Sequence, residues 1–278
     1  MDKVIISVAL TGAITSKEEA PALPVTTEEI IQDAIACAKA GASIAHIHVR
    51  DENGLGTMDI QRFREVFHGL KKALAEEKQD ILINLTTSGA IDATDEDRMA
   101  HVKDLKPDLC SYDVGSLNWL NTSVFINSPP FLEALGKCAQ ENGVKPEIEI
   151  FDGGMIENAA YYLKKGILQA PAFYQIVLGA AGGLSGTVEN LVFLRSKLPK
   201  GSRFSASGIG KAHLPIMLAA LAMGADGIRV GLEDNALLSK GVPATNVKQV
   251  ERAVAAAKLA GREIASAEDA RRILDIKK

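Results

Sequence analysis

Apolar runs of strand length alternate with longer amphipathic stretches along the whole chain. The runs predict eight strands, and these are Val4–Leu10, Ser43–Val49, Asp80–Asn84, Asp108–Tyr112, Glu147–Phe151, Phe173–Leu178, Arg203–Ala206 and Gly227–Val230. The stretches between and after them predict eight helices, and these are Thr27–Ala40, Ile60–Glu77, Thr94–Leu105, Phe131–Asn142, Met155–Lys165, Thr187–Lys197, Lys211–Met223 and Asn246–Ala260. A polar connection from Asp113 to Pro130 interrupts the alternation, and a short helix capped by Ser266 ends it.

The first predicted helix carries recognisable signals at both ends. Thr26 and Glu29 have the spacing of a capping box, in which each residue bonds the other's backbone. Gly41 is placed to end the helix. Between these ends, apolar residues recur at the helical spacing, and they are Ile31, Ala34, Ile35 and Ala38.

Eight strand–helix units in succession are typical of a (β/α)8 barrel. We therefore expect residues 1–278 to form a single barrel domain with a short C-terminal helical tail. The alternative is an open, doubly wound sheet, which usually carries a glycine-rich phosphate fingerprint in its first strand-to-helix turn. Residues 10–15 read Leu-Thr-Gly-Ala-Ile-Thr and lack that fingerprint. The barrel fold places the active site in the loops that follow the strands.

Composition agrees with a soluble α/β protein that acts on small molecules. Of the 278 residues, 47% are hydrophobic and only 5% aromatic, which suits a parallel sheet filled by aliphatic side chains. The formal charge is 31 minus 35, or −4, and there is no basic run to bind a nucleic-acid backbone. No apolar run reaches the roughly 20 residues that span a membrane.

Three cysteines and the first apolar run bear on the compartment. Cys37, Cys110 and Cys138 are far apart and odd in number, which favours a reducing, cytoplasmic location over a disulfide framework. The first run does not resemble a signal peptide, because Asp2 offsets Lys3 and no small-residue cleavage site follows. We interpret it as a buried strand.

Two histidines near the end of the second strand indicate a metal site. Side chains alternate along a strand, so His46 and His48 point the same way. A lone buried histidine is more often structural, but a pair at a barrel mouth favours a metal. Glu233 and Asp234 follow the eighth strand, and Glu233 can reach across the first strand toward the pair. Two histidines and one carboxylate are typical of a catalytic zinc with an open coordination position.

The other strand ends add polar groups. Arg229 and Asp234 are spaced to form an ion pair, which is either functional or a structural salt bridge that closes the barrel. Without a partner, the polar run from Thr86 to Ser88 is ordinary loop polarity. The remaining polar residues at strand ends are Asp113, Ser116, Asn118, Glu147 and Glu149.

Glycine-rich loops follow the sixth and seventh strands. Residues 179–186 and 205–211 both precede a predicted helix, where backbone N–H groups can bind a phosphate. The glycines that suggest this role are Gly182, Gly183, Gly208 and Gly210. Tight turns explain these glycines equally well.

Three stretches together resemble the β-keto acid cleavage enzymes. They are residues 40–50 (AGASIAHIHVR), 144–152 (VKPEIEIFD) and 228–235 (IRVGLEDN). The resemblance implies a zinc-dependent (β/α)8 barrel, usually a homotetramer. It also implies conversion of a β-keto acid and acetyl-CoA into acetoacetate and a new acyl-CoA.

The resemblance also assigns roles to residues of this chain. It implies that His46, His48 and Glu233 bind zinc and that Arg229 and Asp234 form the catalytic pair. Asp234 would be the base that makes the α-carbon of the keto acid a nucleophile, before a retro-Claisen cleavage. Thr86, Ser116 and Glu149 match groups that line the substrate pocket, and the glycine loops fit a CoA phosphate site.

This chain departs from the family pattern at one position that bears on the choice of substrate. The family member that cleaves 3-keto-5-aminohexanoate has a glutamate in the first loop, where this chain has Ile14. An isoleucine cannot pair with an ammonium group, so we expect a neutral or apolar β-keto acid.

Three other functions are alternatives to β-keto acid cleavage with acetyl-CoA. Zinc hydrolases of the amidohydrolase kind take their histidine pair from the first strand, whereas here the pair lies on the second. A metal-dependent aldolase would cleave its substrate without CoA. A barrel that binds a metal or a ligand without turnover is the non-enzyme alternative.

Overall fold

Eight parallel strands close into a barrel in the computed structural model, which describes residues 3–277. The strands are Ile5–Ala9, Ile44–Ile47, Leu82–Leu85, Leu109–Asp113, Lys145–Ile150, Phe173–Leu178, Arg203–Gly208 and Gly227–Val230. The first strand lies between the eighth and the second, as expected. Closure confirms the predicted barrel and rules out the open sheet. Asp2, on which the signal-peptide argument drew, lies outside the described residues.

Nine α-helices surround or plug the barrel within residues 3–277. They are Thr27–Ala40, Ile60–Glu76, Asp95–Leu105, Pro129–Glu141, Gly153–Lys164, Val188–Lys197, His213–Ala222, Asn246–Leu259 and Ala267–Leu274. The predicted capping box of Thr26 and Glu29 is present, and Gly41 ends the first helix with a φ of 113°. Ser266 caps the ninth helix as predicted. No helix in this range is long and apolar enough to cross a membrane.

The second strand and the fourth helix are two elements whose bounds differ from the predicted ones for a visible local reason. The second strand ends at Ile47, and Val49–Arg50 instead pairs antiparallel with Gly56–Thr57. This turn is stabilised by Asp51, whose Oδ1 accepts from two backbone N–H groups of the turn. The fourth helix begins at Pro129 because a proline suits the first helical position, where its missing N–H is not needed.

The barrel is closed at its amino-terminal end by apolar side chains. A cluster inside this end contains inward residues of five strands, packed on the ninth helix through Leu274. The five are Ile5, Ile44, Leu82, Leu109 and Phe173. Above this floor the interior is polar and buried, with Ser7, His46, Asn84, Ser111, Glu147, Gln175 and Ser205. Barrel interiors are usually filled by bulky branched residues, so this polarity marks the functional end.

Two buried amides on the eighth helix hold the loop that follows the eighth strand, residues 231–235. Gln249 accepts a hydrogen bond from the Gly231 N–H (3.1 Å) and donates one to the Asn235 carbonyl (2.7 Å). Asn246, one turn earlier, bonds the backbone of the same loop and of the first strand's end. Both side chains are fully buried. The loop that carries the predicted carboxylates is therefore fixed by side chains of another element.

We expect Gln249→Leu to destabilise the fold. The substitution leaves a buried N–H and a buried carbonyl without their partner, at a cost of about 1–3 kcal/mol each. The free energy of unfolding from urea titration should therefore fall by roughly 2–6 kcal/mol. Lys248→Leu is the matched control, since Lys248 is exposed on the same helix. If both variants unfold at the same urea concentration, Gln249 does not hold the loop.

Candidate active site

His46, His48 and Glu233 meet at the carboxyl-terminal mouth of the barrel. The His46 Nε2 and His48 Nε2 atoms lie 3.7 and 3.4 Å from the two carboxylate oxygens of Glu233. One ligand atom from each residue falls within 4.8 Å of the others. Tetrahedral zinc with bonds of about 2.0–2.1 Å separates its ligands by roughly 3.3 Å. The observed spacings are close to that value.

The chemistry of these three side chains also fits a metal. Within the described chain, both nitrogens of His48 and the Oε2 atom of Glu233 are buried without a hydrogen-bond partner. Burial lowers the pKa of His46 well below its usual value, which leaves the neutral imidazole that binds metals. Burial alone would raise the pKa of Glu233, but the histidines and Arg229 hold it well below its usual range. Two imidazoles and one carboxylate suit zinc with an open position.

The first loop is shaped to let Glu233 enter the site. Gly12 has a φ of 61°, and a Cβ atom there would lie 2.6 Å from the Glu233 Cγ. Arg50, which is 4% exposed, ties this loop to the turn after the second strand. Its guanidinium donates to four backbone carbonyls, those of Thr11, Gly12, Thr15 and Gly54.

Arg229 lies at the centre of the charged groups. Its Nε and Nη2 atoms contact the two oxygens of Asp234 at 3.0 and 3.1 Å. Nη2 also contacts Glu233 at 2.7 Å, and Nη1 lies 3.4 Å from Glu149. Burial opposes the charge of Arg229, but these carboxylates raise its pKa well above the usual value, so it stays a cation. Burial raises the pKa of Asp234, while Arg229 opposes the rise.

More carboxyl groups surround Arg229 than one cation can neutralise. Burial raises the pKa of Glu147 to about 7 and that of Glu149 well above its usual value. Burial also raises the pKa of Asp113, at the end of the fourth strand. With Glu233 and Asp234, five carboxyl groups feel the charge of Arg229. This excess of buried acidic groups favours a bound cation.

The predicted substrate-pocket residues are placed differently from one another. Glu149 points inward and contacts Arg229. Thr86 is buried at the mouth, with its hydroxyl 3.0 Å from that of Ser88. Ser116 is exposed, and its hydroxyl accepts a hydrogen bond from the backbone N–H of Asn127, in the loop after the fourth strand. Ile14 is 53% exposed on the first loop.

Close backbone packing explains three of the four predicted phosphate-site glycines. A Cβ at Gly182 would lie 2.0 Å from the Asn118 carbonyl oxygen, and one at Gly183 would touch Phe151. A Cβ at Gly208 would lie 2.4 Å from a backbone carbonyl of the following turn. Gly210, with a φ of 60°, has open space beside it. A phosphate site in these loops stays a prediction.

Sequence reasoning missed four residues that support the site, namely Arg50, Asn84, Asn246 and Gln249. Asn84 donates to the Glu147 carboxylate at 2.5 Å across the barrel interior. Arg50 lies two residues after His48, which is the one local signal that could have drawn attention to it. Buried amides such as Asn246 look like any polar helix position in a single sequence.

Several known proteins are similar to this chain in sequence. The family model for beta-keto acid cleavage enzyme matches residues 3–276. A 3-keto-5-aminohexanoate cleavage enzyme from Fusobacterium nucleatum is 40% identical over 279 residues, covering 100% of both chains. A 3-dehydrocarnitine:acetyl-CoA trimethylamine transferase from Rhizobium meliloti is 32% identical over 297 residues, covering 99% of this chain and 97% of the relative.

A solved structure shares the fold at lower sequence identity. The ternary complex of ObcA with C4-CoA adduct and oxalate has a TM-score of 0.80 and 22% identity, covering 92% of this chain and 68% of that one. The family match and the two relatives each extend over nearly the whole chain. The resemblance noted in the sequence is thereby confirmed: the chain belongs to the β-keto acid cleavage enzyme family.

Proposed function

We propose that this protein is a zinc-dependent enzyme that converts a β-keto acid and acetyl-CoA into acetoacetate and a new acyl-CoA. The observation that carries the proposal is the cluster of His46, His48 and Glu233 beside the Arg229–Asp234 pair. A transferase relative that uses acetyl-CoA supports the co-substrate.

The residues of the mouth divide the chemistry between them. His46, His48 and Glu233 would hold zinc, which supplies a Lewis acid for the keto group. Asp234 would accept the proton from the α-carbon, and Arg229 would orient it through two hydrogen bonds. The resulting carbanion attacks the acetyl thioester and expels the CoA thiolate. That thiolate attacks the original keto carbon, and the retro-Claisen cleavage of the C–C bond releases the acyl-CoA and the acetoacetate carbanion. The carbanion takes back the proton held by Asp234, which gives acetoacetate and restores the base.

We expect Asp234→Asn to bind zinc normally and to lose turnover. Because an amide cannot accept the α-proton, kcat should fall by roughly 100-fold to 10,000-fold. Elemental analysis measures the zinc, and release of acetoacetate measures kcat. Asp92→Asn, an exposed position in the third loop, is the matched control. A kcat near that of the wild type in Asp234→Asn would remove Asp234 from the role of base.

The mouth favours a neutral or apolar substrate over an ammonium-bearing one. Ile14, Leu55 and Ile91 are all more than half exposed, on the loops after the first three strands. These three side chains make the rim formed by the first three loops apolar. They offer no group that could pair with the ammonium of a substrate. The proposal distinguishes this chain from its relative that cleaves 3-keto-5-aminohexanoate.

A panel of β-keto acids, each assayed with and without acetyl-CoA, tests the reaction and the substrate class together. We expect turnover only with acetyl-CoA, and a higher kcat/KM for neutral substrates than for 3-keto-5-aminohexanoate. Ile14→Glu should raise kcat/KM for the amino substrate by roughly 1.5-fold to 5-fold, since an exposed charge pair is worth about 0.2–1 kcal/mol. Leu259→Glu, at an 88% exposed position at the end of the eighth helix, is the control and should leave the substrate preference unchanged.

Three results would contradict these proposals. If the wild type prefers the amino substrate, the inference from Ile14 is wrong. Cleavage with acetyl-CoA omitted would instead indicate an aldolase, and no product with any substrate would indicate a non-catalytic barrel.

Further parts of the proposal concern the CoA site and the assembly. We propose that Gly182, Gly183, Gly208 and Gly210 border the CoA phosphates.

We also propose a homo-oligomer, with a tetramer as the expected size. Exposed apolar residues such as Val192 and Leu218, on the sixth and seventh helices, support it. A single domain and a cytoplasmic location complete the proposal.

A further inference from the structure

One layer of the barrel interior is polar where barrels are normally apolar. The strand registers place Ser7, Asn84, Glu147 and Ser205 at one level, one from each alternate strand. All four are at most 1% exposed. The 2.5 Å hydrogen bond from Asn84 to Glu147 joins the third and fifth strands, which are not neighbours, so these side chains meet inside the barrel.

This layer is costly to bury. Each of its four residues has an oxygen atom without a hydrogen-bond partner in the described part of the chain. A buried carboxyl group is especially unfavourable unless it is paired, and well-packed apolar side chains often stabilise such a position better. The polar layer therefore serves something other than the stability of the barrel.

His46 lies directly above this layer, and one carboxylate of the layer can accept a hydrogen bond from its ring. Its Nε2 atom faces Glu233 at 3.7 Å, whereas its Nδ1 atom lies 3.9 Å from the Glu147 Oε2. Among residues 3–277, the buried Nδ1 atom has no hydrogen-bond partner. A metal-binding imidazole usually donates its second N–H to a carboxylate or carbonyl, which fixes the tautomer and the ring orientation. Glu147 is the acceptor placed to take that hydrogen.

We propose that Glu147 is the positioning residue for His46, accepting the Nδ1–H so that Nε2 stays free for the metal. Asn84 holds the Glu147 carboxylate in place from across the barrel. The proposal rests on the metal site of the proposed function and adds a residue that acts through His46.

Zinc affinity measured by competition with a chromophoric chelator tests this role. Loss of such an acceptor typically weakens metal binding 10-fold to 100-fold, and we expect Glu147→Leu to do so. Glu147→Gln keeps an acceptor oxygen of the same reach and should lose less affinity. Both variants should still bind one zinc per chain at saturation. Ser205→Ala, in the same layer, is the control and should bind zinc within about twofold of the wild type.

The thermal midpoint of the metal-free protein separates positioning from a structural role. Glu147→Leu alone would leave the buried Asn84 N–H without its acceptor. The double variant Asn84→Leu/Glu147→Leu removes both groups of the pair, so its metal-free midpoint should equal or exceed that of the wild type. A lower midpoint together with unchanged zinc affinity would make Glu147 structural and overturn the proposal. Loss of zinc stoichiometry in Glu147→Gln would overturn it too, by making Glu147 a direct ligand. If the wild type itself binds no zinc, the metal site fails, and the role of Glu147 fails with it.

Discussion

The excess of buried carboxyl groups around Arg229 is the constraint on which the site depends. One guanidinium contacts Glu149, Glu233 and Asp234 directly. Further acidic groups lie within its electrostatic reach, including Glu147. A buried cluster of this charge is stable only when protons or another cation neutralise it. The two imidazoles beside it mark where such a cation would bind.

The fold holds this unfavourable cluster by fixing the backbone around it. Gln249 and Asn246 fasten the loop after the eighth strand, and Arg50 fastens the loop after the first. Apolar packing of the ninth helix closes the opposite end of the barrel. The charged side chains therefore add little to the stability of the barrel, while the rest of the chain keeps them close together.

The strand–helix alternation was enough to predict the barrel, because the hydrophobic period reports burial directly. The His46–His48 spacing likewise predicted that these two side chains meet Glu233, since strand ends gather at one mouth. The predicted end of the second strand was wrong because a side chain redirects the backbone there. Asp51 turns the chain after the second strand, so that His48 lies beyond its last residue. Contacts such as that from Asn84 to Glu147 depend on the register of non-adjacent strands, which periodicity does not specify.

His46, His48 and Glu233 are proposed to hold one zinc ion. Anomalous diffraction at the zinc edge, from crystals of the zinc-loaded protein, locates the ion without reference to activity. We predict a single strong peak bonded to the two Nε2 atoms and to a Glu233 oxygen, at about 2.0–2.2 Å. A peak bonded elsewhere, or none at this mouth, would contradict it.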